Sequence, residues 1–296
     1  MTRPQPLDWL VLAALVIAWG SAFGALKIAV AEITPAWNTV ARLWVASAVL
    51  AILCLAGRQK LPRLSEPVWV YYAAIGLVGM TLPFFLFAFA AKGLPSAVNA
   101  ICNGASPIFT AVLAYLTLRE EPLGLKKSLG VLLGFIGLMV LVAPRLAAHG
   151  ASVETLALAA ALTGGVLYAV SNIITRKAPP VPSSVGGLMM CLVGAVVATV
   201  ATVAVEPLPP AAPSWPAIAS IVGLGVFSTA LGSVGYVFLV KRQGPVFMSM
   251  AIYLAPLWAT FLGVALLGER PGWPAYTALA LILLGVGLAT ASRKAA

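Results

Sequence analysis

Residues 103–122 read NGASPIFTAVLAYLTLREEP, and residues 252–271 read IYLAPLWATFLGVALLGERP. Pro107, Glu120 and Pro122 of the first stretch return 149 residues later as Pro256, Glu269 and Pro271. In both, the proline lies midway along an apolar run long enough to cross a bilayer, and the glutamate closes the run. The same register relates Trp19 to Tyr168 and Lys27 to Arg176. A repeat of half the chain in so apolar a sequence marks two copies of one membrane unit, an organisation typical of transporters and rare in enzymes.

Composition agrees. Hydrophobic residues make up 61% of the 296 and charged residues 9%, with a mean hydropathy of +1.03. Soluble domains carry roughly a quarter charged residues, so this chain belongs in a lipid bilayer. Its net charge of +10 invites a nucleic-acid reading. The basic residues, however, come as small groups between apolar runs and form no single patch, so no nucleic-acid partner is expected. Cys54, Cys102 and Cys191 lie inside apolar runs, where free, buried thiols are expected. The first run carries no small-residue cleavage site and reads as a retained helix.

A helix crossing about 30 Å of hydrocarbon needs about 20 residues. Ten runs qualify: 8–30, 36–56, 67–91, 95–118, 126–144, 153–175, 184–205, 215–240, 245–268 and 273–291. Short loops with prolines separate them, which predicts an all-α membrane protein. With the N-terminus in the cytoplasm, thirteen lysines and arginines fall on the inner side and four on the outer, while Arg42 lies within a helix. That asymmetry predicts both termini inside. Five helices per copy is an odd number, so the second copy enters from the opposite side. The expectation is two inverted five-helix repeats, 1–147 and 148–296, which supply alternating access by exchanging conformations.

Polar residues within the runs are the candidate contacts for a substrate. Asn99, Asn103, Ser106 and Thr110 share a helical face, as do Ser249, Tyr253 and Thr260 beside Pro256. Such groups need partners in hydrocarbon, and either a substrate cavity or helix–helix hydrogen bonding supplies them. Helix six offers Tyr168 and Asn172; Trp19 in helix one lies too deep for an interfacial anchor, and Trp19 and Tyr168 could stack on a substrate or pack the core. Pro107 and Pro256 each free a carbonyl one turn earlier, which makes them candidate hinges or packing kinks. Gly130, Gly134, Gly137, Gly285 and Gly287 read as close-packing positions.

Arg42 sits about two turns into helix two, roughly 10 Å from its outer end. A guanidinium there either snorkels to the interface or faces a wet cavity and grips a carboxylate. Asp8 and the seven glutamates lie in loops or at helix ends. With no carboxylate near the midplane, a carrier driven by its substrate gradient is expected, and proton coupling through other groups stays open. His149 is the single histidine and is expected in a loop, and neither Gly-x-Ser-x-Gly nor a P-loop occurs. No enzyme chemistry, metal or cofactor is expected.

Ala105-Ser106-Pro107-Ile108-Phe109, Glu120 and the Gly130/Gly134/Gly137 series resemble the closing signature of the EamA module, which defines the drug/metabolite transporter superfamily. Ala255-Pro256-Leu257, Gly268-Glu269 and Gly285-Val286-Gly287 repeat it, and Trp19-Gly20-Ser21-Ala22-Phe23 with Arg42 resembles its opening. The resemblance covers nearly the whole chain. It implies a ten-helix exporter of small metabolites in the inner (plasma) membrane, most similar to the amino-acid exporters, including the YddG-like aromatic amino-acid branch. In that branch residues just before the helix-four proline line the cavity, which here points to Asn103 and Ser106, with Tyr168 in helix six. Gly104 and Ser106 are small where aromatic-selective members are bulkier, which implies a broader or more polar range. The expected partners are an amino acid or related metabolite and the bilayer, with a monomer favoured. The competing readings are a broad-specificity drug or metabolite efflux carrier and a passive channel.

Overall fold

The computed structural model describes residues 4–118, 125–149, 152–209 and 212–291. These form helices α1 (Pro6–Val30), α2 (Pro35–Ala56), α3 (Val68–Gly76), α4 (Leu82–Gly93), α5 (Ser96–Gly104), α6 (Ser106–Leu118), α7 (Leu125–His149), α8 (Val153–Lys177), α9 (Ser183–Val205), α10 (Trp215–Gly223), α11 (Gly232–Gln243), α12 (Pro245–Leu267) and α13 (Trp273–Ala291), with no strand among the described residues. Eight stretches are long and apolar enough to cross a membrane, and Ser128–Pro144 and Trp273–Leu288 are shorter apolar helices. Glu120, Pro122, Arg3, Arg119, Arg293 and Lys294, and the side chains of Lys127, Arg145 and Ser249, lie outside the described residues.

Three expected runs are not plain helices. In 67–91, α3 and α4 are joined by a π-helical segment, Leu77–Thr81; in 215–240, α10 and α11 are joined by another, Leu224–Leu231. A π-turn leaves its carbonyls imperfectly paired, and a threonine sits at each one: the Thr81 hydroxyl is shared between Gly76 O at 3.2 Å and Gly194 O of α9 at 3.1 Å, and Thr229 donates to Leu224 O at 2.9 Å. Run 95–118 breaks at Ala105 into α5 and α6. Pro107 has no N–H for the carbonyl of Asn103, and the Ser106 hydroxyl takes its place at 2.6 Å. Pro256, by contrast, lies within the unbroken α12. The run at 126–144 continues through Pro144 to His149, so the loop expected around His149 is helical instead.

Lipid supplies no hydrophobic force between helices, so small residues let the backbones approach. A Cβ on Gly285 of α13 would come within 2.5 Å of Gly130 O and 2.8 Å of Gly134 N in α7, and one on Gly76 of α3 within 2.6 Å of Met190 O in α9. Gly287, two residues on, differs, since a Cβ there meets no described atom within 4 Å. Helix α1 packs on α12, and α8 packs on α5 and α6; α2 lies against α9, and α7 against α13. Outward surfaces are apolar, with Leu10, Leu55 and Val200 largely exposed. Cys54, Cys102 and Cys191 are all buried.

Candidate functional site

Arg42 of α2 does not snorkel. Only 8% of it is exposed, and its fork is held by neutral groups. Nε donates to Thr229 Oγ1 at 2.9 Å and Nη2 to Ser228 Oγ at 3.2 Å, while Cζ lies 3.6 Å from the centroid of the Phe84 ring. Thr229 commits its own hydrogen to Leu224 O, so its oxygen can only accept from the arginine. Trp19 Nε1 donates to Ser228 O at 3.1 Å and thereby anchors the π-helical segment to α1. No carboxylate among the described residues pairs with Arg42; the described ion pairs are Lys27–Glu269 and Arg242–Asp8.

Hydrogen bonds to a charged group contribute about 1.5–3 kcal/mol. Thr229→Val removes one of these and also unfills the π-turn. The apparent melting temperature in detergent is expected to fall by about 5 °C. Thr229→Ser, which keeps the hydroxyl, should stay near the parent. Equal melting of the valine variant and the parent would remove Thr229 from this role.

Tyr168 of α8 enters the same neighbourhood from the other side. It stacks on Phe87 at 5.6 Å, and Phe87 meets Phe23 edge-on at 6.1 Å. Tyr168 also packs against the cluster that holds Phe84 and Cys191. Trp19, Arg42 and Tyr168 thus come together through Ser228, Thr229, Phe84 and Phe87, four residues not singled out in the sequence. The signal for the first two was Arg42 itself, which had to find acceptors within its span.

A second cluster lies between α5–α6 and α8. Asn172 donates to Thr110 Oγ1 at 3.2 Å, Thr110 to Ser106 O at 2.9 Å, and Ser106 to Asn103 O. Asn103 is half-buried and Asn172 exposed, so this cluster reaches accessible space. Asn99 does not join it. The residue is fully buried, its amide nitrogen donates to Phe87 O at 2.9 Å, and its Oδ1 has no partner among the described residues. Tyr253 is also elsewhere, with its hydroxyl 3.4 Å from Val286 O on α13. The tryptophan that does reach α1 from α12 is Trp258, which donates to Ser21 Oγ at 2.9 Å.

Two hollows lie on the helix surfaces. One of about 520 Å³ is lined by Leu132, Phe135, Met139 and Trp273, all apolar. It is a groove on an outward face of α7 bounded by Trp273 of α13. The other, about 420 Å³, runs between α1 and the second π-helical segment past Ile17, Ser21, Phe227 and Ser228, the one lining residue that bonds Arg42.

The repeated glutamate, Glu269, has a structural task. Lys27 Nζ and Ser96 N donate to its Oε1 at 2.9 and 2.8 Å, and Ser96 Oγ and Ala97 N donate to its Oε2 at 2.9 and 3.4 Å. One carboxylate therefore ties the end of α1 to the N-terminus of α5 from the end of α12. Burial opposes its ionisation, but the Ser96 and Lys27 donors outweigh that and hold the carboxyl below the usual glutamate range.

The model of the EamA-like transporter family matches residues 7–143 and again 151–291. An uncharacterized transporter of Archaeoglobus fulgidus is 23% identical over 96% of this chain and 99% of its own length. The uncharacterized transporter YvbV of Bacillus subtilis is 26% identical over 99% of this chain and 94% of its own. The uncharacterized inner membrane transporter YedA of Escherichia coli K12 is 25% identical over 94% and 89%. A solved crystal structure superposes with a TM-score of 0.69 at 22% identity, covering 99% of this chain and all of that one, and shows the shared fold.

Proposed function

We propose, because the chain belongs to the EamA-like transporter family, that it is a ten-span secondary transporter of the inner (plasma) membrane that exports small metabolites, amino acids foremost. That it is a multi-pass membrane transporter follows from the family; the span count, the direction and the substrate are our reading. Residues 1–147 and 148–296 form two inverted five-helix modules in it. The apolar helices Ser128–Pro144 and Trp273–Leu288 complete the ten spans and pack against each other as α7 and α13.

The observation that carries the inverted arrangement is an exchange of partners. Helix α1 packs on α12 as α8 packs on the α5–α6 pair, and each module has one span interrupted by a threonine-filled π-helical segment. Two modules that pack alike but differ in detail can trade conformations, which moves access from one side to the other. Pro107 marks the mobile joint of the first module, since α5 and α6 separate at Ala105, two residues before it, and Pro256 is its stiffer counterpart. The substrate meets Arg42, Trp19 and Tyr168 on one side and Asn103, Ser106 and Asn172 on the other. Asn99 and Tyr253 shape the walls between helices.

Counterflow in proteoliposomes tests this. Vesicles loaded with unlabelled amino acids should accumulate the labelled amino acid transiently above equilibrium. Steady conductance with no stimulation from the far side would instead make the protein a channel.

A further inference from the structure

Resting on that transporter reading, the unfilled edge of the Arg42 fork identifies the kind of molecule carried. We propose that the substrate presents a carboxylate to the Nη1–Nη2 edge of Arg42, so that small amino and organic acids are carried and cationic compounds are refused.

A guanidinium has five N–H groups in one plane, and Nε and Nη2 share one edge of it. Thr229 and Ser228, consecutive residues, take that edge. The opposite edge, formed by Nη1 and the second N–H of Nη2, has no acceptor among the described residues. Its two parallel N–H groups match the two oxygens of a carboxylate. A fully hydrated cation would tolerate this, but Arg42 is 8% exposed inside a span of mean hydropathy 2.0. A buried cation calls for a counter-charge, and no described carboxylate supplies one.

The surroundings fit a ligand that brings the missing charge. Tyr168, packed against the cluster that holds Phe84, makes no hydrogen bond among the described residues, so its hydroxyl is free to donate. Asn38, one turn before Arg42 on α2, is fully buried with neither amide atom bonded among the described residues. Its Oδ1 is an unmatched acceptor on the helix face that carries Arg42. The Phe84 ring covers one face of the guanidinium and, with Phe87 and Trp19, gives an apolar body somewhere to rest. The fork needs no rearrangement to bind, since Thr229 is fixed by Leu224 O and Ser228 by Trp19.

Ligand chemistry and a variant test the proposal together. Purified full-length protein is titrated with L-phenylalanine, L-phenylalaninamide, 3-phenylpropionate and the cationic dye ethidium, following the melting temperature, and the same four compounds are used in counterflow. The two acids should raise the melting temperature and exchange, while the amide and ethidium do neither. Arg42→Lys keeps the charge but loses the planar edge, and should weaken the response to the acids about tenfold. Amide or ethidium acting as well as the acids overturns the proposal and leaves the transporter reading standing, an outcome that needs no variant to fold. Acids that bind through Arg42 without any exchange overturn the statement that they are carried, together with the transporter reading, and leave a carboxylate-binding site. Failure of all four compounds to bind overturns it.

Discussion

Gly285→Ala is expected to loosen the protein, while Gly287→Ala, two residues further along the same helix, leaves it as stable or makes it more so. The Cβ at Gly285 would lie 2.5 Å from Gly130 O, 2.8 Å from Gly134 N and 3.2 Å from Gly134 Cα. All three are backbone atoms, so no side chain can rotate away. Helices α7 and α13 would have to separate along a seam whose packing depends on backbone contact. Overpacking of this kind costs about 1–3 kcal/mol, and Gly285→Leu should cost more. An alanine at Gly287 meets no described atom within 4 Å and gains about 1 kcal/mol of helix propensity instead. Thermal unfolding in one detergent, read on both variants, decides the matter. A Gly285→Ala variant as stable as the parent would mean that the two helices are not seated as described.

That contrast marks how far the sequence could be read. Gly285 and Gly287 looked alike in a membrane helix because composition reports small size and not which side of the helix meets a neighbour. Helix positions were legible, since a run of about 20 apolar residues has one stable form in lipid. The two π-helical segments were not, because an inserted residue leaves the hydrophobic pattern of a fully apolar span unchanged. Their threonines, Thr81 and Thr229, are 148 residues apart and not 149, so the repeat register slips there. Arg42 was legible as a charge in need of partners, but Ser228 and Thr229 were not legible as those partners, since contact across 187 residues of chain leaves no local pattern. The Asn99–Asn103–Ser106–Thr110 face was drawn on an unbroken helix. The break at Ala105 divides it, leaving Asn99 buried against Phe87 O and Thr110 bonded by Asn172.

Removing the Glu269 carboxylate should be the most costly change on the rim of the bundle. Glu269→Ala leaves Ser96 N and Ala97 N uncapped at the start of α5, strips the Ser96 hydroxyl of its acceptor and unpairs Lys27. Loss of a helix cap costs about 1 kcal/mol, and a buried group left without its partner about 1–3 kcal/mol more, so the apparent melting temperature should drop by roughly 5–10 °C. Glu269→Gln should fall in between, because its carbonyl still caps one N–H but its charge is gone. Lys27→Met should cost least, since the lysine side chain is 39% exposed and exposed pairs contribute little. The sign of the pH dependence follows from the depressed carboxyl. A group whose folded pKa lies below its unfolded value adds stability that is complete above the unfolded value, 4.5 for this glutamate, and is lost as pH falls through the lower folded value. The melting gap between the parent and Glu269→Gln should therefore be constant from neutral pH down to about 5 and close below about 4.5. A gap that instead widens on acidification would mean that Glu269 is protonated in the folded protein. The four bonds to α1 and α5 would then have to be drawn from a neutral acid, which has one oxygen fewer to offer as a free acceptor and no charge for Lys27 to meet.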